Sequence, residues 1–378
     1  MNRNKFFKNN QGICKTVAEM KDDEVGFLEQ ISNAFGPSGF ESEPLKIVKQ
    51  YVQFADEIRI DKLGSLMYTL QGSADKPKIV LPGHIDEVGF CVSGISDAYI
   101  KFVDIGGWFD QSLLAHRVCI RTHKGDVLGV IAAKPPHLIS PEDRKKVIEM
   151  KDMFIDVGCT SSEEIEQLGI RIGDPIAPVS KFTLLHNNQV AMAKALDDRI
   201  GVCVAAITCK KLKEEGITHP NLIIGAATTQ EEVGTRGART MAWIADPDIA
   251  IVCETAIAGD LPGMKDLIPP TKMSKGVAIY TYDRSMIPNQ ALKKFVIETA
   301  ETCEIPYQLT LSATGGTDGG AIHVLRGGCP SIVLGIPTRN IHSENGIFSL
   351  SDLDGAVQLI VELVKRLDWE TVQSFTEY

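Results

Sequence analysis

NLIIGAATTQEEVGTRGA, residues 221–238, is the stretch on which the reading of this chain turns. Asn221 to Ala227 is a short apolar run of the length and texture of a buried strand. Thr228, Thr229 and Gln230 follow, then the adjacent acids Glu231 and Glu232, then Gly234 and Gly237. In regular strand geometry two adjacent acids face opposite sides, so they serve one site only if the chain has already left the strand. The two glycines permit that turn. A solvated acidic turn is the competing reading.

Three further clusters lie at the ends of β-like runs: His84-Ile85-Asp86-Glu87, Leu196-Asp197-Asp198-Arg199 and Ile341-His342-Ser343-Glu344. In open α/β sheets such ends converge on one crevice, so residues far apart along the chain become neighbours. Pooled, the side chains are two imidazoles and a surplus of carboxylates. That donor set suits two divalent cations and points to metal-assisted hydrolysis.

Each cluster also has a plainer reading. His84 and Asp86 project to the same side of extended backbone, where the carboxylate would fix the imidazole's orientation; a hydrogen-bonded histidine at a strand end looks the same. Asp197 precedes a helix and could simply cap it, although a cap does not require the second acid, Asp198. Glu254 closes the run Ile249 to Cys253, and either it or His342 could be a satisfied polar group at a sheet edge. The histidines at 116, 123, 137, 186, 219 and 323 have no comparable company and default to surface or structural roles.

The periodicity organises the rest. Glu24 to Phe35 and Pro44 to Ala55 read as helices flanking the turn Gly36-Pro37-Ser38-Gly39, and Lys78 to Leu81 as the strand that delivers His84. From about Phe90 to Gln189 the texture changes to short β-type runs, which predicts a small inserted β-barrel or sandwich. Beyond Ala193 α/β alternation resumes, with a helix from about Arg199 to Glu214, strands at Asn221 to Ala227, Ile249 to Val252 and Ser331 to Leu334, and helices at Ala291 to Cys303 and Ser351 to Leu367. Ser351 is positioned to cap the last of these. The expected architecture is a helix-flanked, mixed-sheet α/β domain, residues 1–89 and 190–378, interrupted by a β-barrel at 90–189. The insert, lacking paired acids and histidines, is expected to carry subunit contacts or substrate access rather than chemistry.

A length of 378 residues fits two domains, at about 100 to 200 residues each. The net charge of −10 argues against nucleic-acid and anionic-membrane partners, which favour basic surfaces. Nine cysteines, an odd set without C-x-x-C spacing, suggest neither a cysteine zinc site nor a disulfide framework, and fit reduced thiols in a cytoplasm. Neither a secretory signal nor a run of about 18 apolar residues is found.

The strings GHIDEVGF, KALDDRIGV, TTQEEVGTRGA, GDLPG, ATGGTDGGAIH and GIPTRNIHSEN, in this order from residue 83 to 345, resemble the glutamyl or tetrahedral aminopeptidases. That resemblance extends to Gly36-Pro37-Ser38-Gly39, GGWFDQ and Lys134-Pro135-Pro136-His137, and so covers nearly the whole chain. It implies two divalent metal ions per subunit, zinc, cobalt or manganese, with Asp197 shared between them, His84 and Glu254 on one, and Glu232 and His342 on the other. Glu231 would be the general base, Asp86 would orient His84, and a hydroxide held by both metals would attack the peptide. It also implies a cis Asp197-Asp198 peptide and a large homo-oligomer, commonly a tetrahedral dodecamer, that admits short peptides. Departures from the family pattern are Glu254 in place of Asp, Asn340 in place of Tyr, Gly319 in place of Ala and Ser65 in place of Asn, with about 20 N-terminal residues as an extension. An acidic substrate preference would require a basic group in the pocket, Arg284 and Arg339 being candidates. Because family members have been labelled endoglucanases, a glycoside hydrolase is one alternative; a catalytically silent binding protein on the same fold is the other. Glycosidases pair two carboxylates across a sugar without metal, and here the acids keep company with histidines while tryptophans number three.

Overall fold

A computed structural model describes residues 20–264 and 271–377. The N-terminal extension inferred from sequence falls on residues 1–19 and so lies outside them. Eleven strands form one mixed sheet, and six more close a separate barrel. At the centre of the sheet, Leu222–Thr228, Lys78–His84, Ile249–Ile257 and Ser331–Arg339 lie side by side and parallel. Their carboxyl ends therefore open on one edge, which gathers the clusters.

The strands are sandwiched, and their side chains show why. Along Ile249–Ile257, Ile249, Ile251 and Cys253 enter the core beneath helices Asp22–Asn33, Leu196–Glu214 and Leu350–Val364. Ala250, Val252 and Ala256 alternate into a second core beneath Arg236–Ala245 and the short helix Asp318–Ile322. A strand covered on both faces reads as a continuous apolar run, which is why composition alone revealed it. Hydropathy, however, placed its end too early. Three of the four central strands extend three to five residues past their apolar runs, because ladder pairs such as Thr228 with His84 and Glu254 with Gly335 keep polar residues in register.

The barrel is built from Gly89–Ser96, Tyr99–Ile105, Phe154–Asp156, Gly125–Ala132, Arg117–Thr122 and Pro175–Pro178 around Phe90, Ile100, Val118, Ile131 and Ile155. Thr183–Leu185, grouped with the insert on texture, instead pairs with Val190–Ala193 in the large sheet. Ser351 does not cap the last long helix. The cap position is Ser349, whose hydroxyl lies 2.9 Å from that of Ser351 rather than on the helix amides. Among the described residues, no helix is long and apolar enough to cross a membrane.

Candidate active site

The sheet edge brings His84, Asp86, Asp197, Glu231, Glu232, Glu254 and His342 together. His84 is the last residue of its strand and is 2% exposed, whereas His342 sits in the loop after Ser331–Arg339 and is 38% exposed. Asp197 stands between the two imidazoles. Its Oδ1 is 3.0 Å from His84 Nε2 and its Oδ2 is 3.4 Å from His342 Nε2. Glu232 Oε1 lies 3.5 Å from His342 Nε2, and Glu231 Oε2 lies 3.9 Å from His84 Nε2. The Asp197-Asp198 peptide is cis.

Asp86 ties three segments into this arrangement. Its Oδ1 accepts the Glu231 amide at 3.0 Å and its Oδ2 accepts the Glu232 amide at 3.2 Å and the Ser38 hydroxyl at 2.6 Å. Oδ1 is also 3.4 Å from His84 Nδ1. A buried carboxylate satisfied this way fixes the turn that carries both glutamates as well as the imidazole. The turn itself departs from the strand through Gln230, at φ +56°, and Gly234, at φ +121°.

Several supporting residues carried no individual role in the sequence reading. Asp198, fully buried, accepts the His84 amide at 3.0 Å and the Gly201 amide at 2.9 Å. Glu41 holds the Gln230 amide at 3.1 Å. Beneath the site, Lys194 Nζ donates to both oxygens of Glu87, at 2.6 and 2.8 Å, and to the Ala34 carbonyl at 2.8 Å. Arg199, with no exposed surface, donates to Glu87 at 3.2 Å, to the Ile85 carbonyl at 3.1 Å and to the Ala34 carbonyl at 2.7 Å. Buried charges of this kind are tolerated only when paired and hydrogen-bonded, and here they lock residues 85–87 against the end of the first helix. Proximity to the LDDR and HIDE motifs, or for Glu41 to the Gly36-Pro37-Ser38-Gly39 turn, was the only signal available for them.

Electrostatics describe a site short of positive charge. Burial pushes the carboxyls of Glu231 and Glu254 well above their ordinary range, and neighbouring acids add to the effect. Burial, reinforced by Asp197, raises Glu232 to about 7. Burial opposes the imidazolium of His84, but the carboxylates of Asp197 and Asp86 outweigh it and hold the ring well above ordinary histidine. The same balance against Asp197 and Glu232 raises His342 to about 10. Divalent cations would reverse the logic by stabilising every carboxylate in its ionised form. The donors fit such ions. Ligand atoms of His84, Asp197 and Glu232 lie within 4.8 Å of one another, as do those of His84, Asp198 and Glu254. Glu232 Oε1 is buried without a hydrogen-bond partner, an oxygen that a cation would satisfy.

A cavity of about 700 Å³ opens beside these groups. Its lining also includes Ser285, Ser312, Gly315, Gly316, Val324 and Leu325, together with Arg239. Arg339 is engaged with Asp260 at 2.9 and 2.6 Å, and Arg284 is not among the lining residues.

A helix-flanked sheet presenting histidines and carboxylates at its carboxyl edge, beside an open cavity, is the arrangement that metal-assisted hydrolysis calls for. Residues 64–359 match the profile of the M42 glutamyl aminopeptidase family, and the chain belongs to that family. It is 36% identical over 357 residues to FrvX of Escherichia coli, covering 94% of this chain and 98% of that one. The TET aminopeptidase of the marine sediment archaeon Thaumarchaeota archaeon SCGC AB-539-E09 superposes with a TM-score of 0.92 at 53% identity, covering 94% and 99% of the two chains. The TET1 peptidase of Pyrococcus horikoshii, which can assemble into a tetrahedron or a large octahedral shell, superposes with a TM-score of 0.80 at 30% identity, covering 91% and 100%. The protein is therefore a peptide hydrolase, and the glycosidase and non-catalytic alternatives give way.

Proposed function

We propose that this chain removes N-terminal residues from short peptides by two-metal catalysis. In this reading Asp197 is shared by two divalent cations, His84 and Glu254 complete one site, and Glu232 and His342 the other. The observation that carries it is Asp197 itself, whose two oxygens address two different imidazoles. When bound, two such cations polarise the scissile carbonyl and acidify water from 15.7 toward about 7. Zinc, cobalt and manganese all suit mixed imidazole and carboxylate donors. Glu231 takes the proton released by water and delivers it to the leaving amine, while Asp86 keeps Glu231, Glu232 and His84 in place. Glu254 is buried within its strand, with Oε1 accepting the Thr255 amide at 2.8 Å. Its extra methylene relative to Asp narrows the space beside the site where the substrate's terminal amine would dock. Chelation should abolish hydrolysis of aminoacyl substrates, and adding zinc, cobalt or manganese should restore it; full activity in metal-free protein would refute the reading.

Arg239 supports a preference for acidic first residues, because it is the sole lysine or arginine lining the cavity among the described residues. Arg239→Glu should shift the ratio of kcat/KM for glutamyl over lysyl substrates about tenfold toward lysyl. An exposed pair contributes up to about 1 kcal/mol, and reversal replaces that attraction with repulsion. An unchanged ratio would remove Arg239 from specificity.

Likeness to the Pyrococcus horikoshii protein supports self-association of this chain into a closed shell. Leu128, Leu138 and Ile172 on the inserted segment are each more than two-thirds exposed, and are apolar groups that subunit contacts would cover. Among the described residues eight cysteines are free, which supports a reducing, cytoplasmic setting.

A further inference from the structure

The loop that carries His342 is held from outside the large sheet. Asn340 and His342 both take left-handed backbone, at φ +56°, and several of the loop's side-chain hydrogen bonds stay within it. Two hydrogen bonds anchor it to the inserted segment, and a third pair of side chains lies close. His342 Nδ1 meets the Gly107 carbonyl at 2.8 Å, His116 Nδ1 lies 3.4 Å from Glu344 Oε2, and the Ser180 hydroxyl donates to Asn345 Oδ1 at 3.0 Å.

The Gly106-Gly107 turn is also shaped to the site. Gly106 has φ +79°, and a Cβ there would come within 2.8 Å of Val88 Cγ1 and 3.2 Å of Glu232 Cβ. A Cβ on Gly107 would approach His342 Nδ1 to 3.3 Å. Trp108 then pins the turn to the first barrel strand, through an Nε1 hydrogen bond to the Gly89 carbonyl at 3.0 Å and a stack on Phe90 at 4.8 Å. That strand begins five residues after His84, so one short segment links the frames of both imidazoles.

We propose that the inserted barrel, through the Gly106-Gly107-Trp108 turn, is the positioning element for His342 and Glu232. No barrel side chain belongs to either candidate ligand group; the contribution is a backbone carbonyl and a turn that only glycine fits. Donation from Nδ1 to the Gly107 carbonyl selects the tautomer that leaves the Nε2 lone pair facing Asp197 and Glu232. The inference rests on the two-metal reading of His342.

The experiment titrates metal-free full-length protein with Co²⁺ alone, following the visible absorption of bound cobalt and the stoichiometry. Trp108→Phe removes the indole donor but keeps an aromatic ring on Phe90, Gly106→Ala intrudes on Glu232, and His342→Ala is the reference. One Co²⁺ should bind with near wild-type affinity in all three. The other should weaken about 10- to 100-fold in Trp108→Phe and Gly106→Ala, with altered cobalt bands, as expected when an outer partner of a ligating histidine is lost. Gly106→Ala also tests the turn's steric fit, and if it does not fold Trp108→Phe decides alone. Two ions bound with wild-type affinity and spectrum in the folded Trp108 variant would overturn the proposal. Wild-type binding of both ions by His342→Ala would instead overturn the two-metal reading on which it rests.

Discussion

Glu231→Gln is expected to retain two metal ions and to lose about 10²- to 10⁴-fold in kcat, the usual contribution of a general base. The amide preserves the side chain's shape, and the backbone at 231 is fixed independently by Asp86 at 3.0 Å, so the substitution changes proton chemistry with little change in position. Glu231 stands 3.9 Å from His84 Nε2, lines the cavity and is 14% exposed, which places it at the boundary between the ligand groups and the substrate space. Glu232, by contrast, points to His342 at 3.5 Å. Two adjacent acids thus take different environments, the condition for different roles. Metal analysis beside steady-state kinetics is the measurement. Near-normal kcat would move the base elsewhere, and loss of metal would make Glu231 a ligand.

Asp197→Asn should have the larger effect, reducing bound metal to one ion or fewer per chain and turnover to background. Only a carboxylate offers two equivalent anionic oxygens, and here Oδ1 faces His84 and Oδ2 faces His342. The amide keeps one oxygen acceptor and turns a donor toward the other site. Two cations also bring four positive charges into a buried cluster, so losing the shared anion leaves that charge less compensated. Stoichiometry at saturating metal decides the matter. Two tightly bound ions with substantial activity would show that Asp197 is not shared.

Much of this protein is determined by sequence alone, and the physical reason is periodicity. Apolar runs of strand length located all four central strands, and the change to short, punctuated runs after Phe90 located the start of the barrel. The polar clusters at strand ends pointed to one shared edge, and the family resemblance narrowed them to the seven residues that the structure brings together there. What periodicity could not supply was termination and partnership. The run Ser331 to Leu334 ends five residues before its strand does, because ladder hydrogen bonds carry Gly335 to Arg339 onward whatever their hydropathy.

Only the tertiary structure decided which atoms face one another. Arg199 has no exposed area, because Glu87 and backbone carbonyls from two segments, residue 85 and residues 31–36, surround it. Asp86 became the anchor of the Glu231-Glu232 turn, 145 residues away, because strands Lys78–His84 and Leu222–Thr228 run parallel in register. The insert, with no acid–histidine cluster to betray a role, reaches the site through the Gly107 carbonyl. Backbone oxygens are common to every residue and leave no mark in a sequence; their direction exists only once the chain is folded.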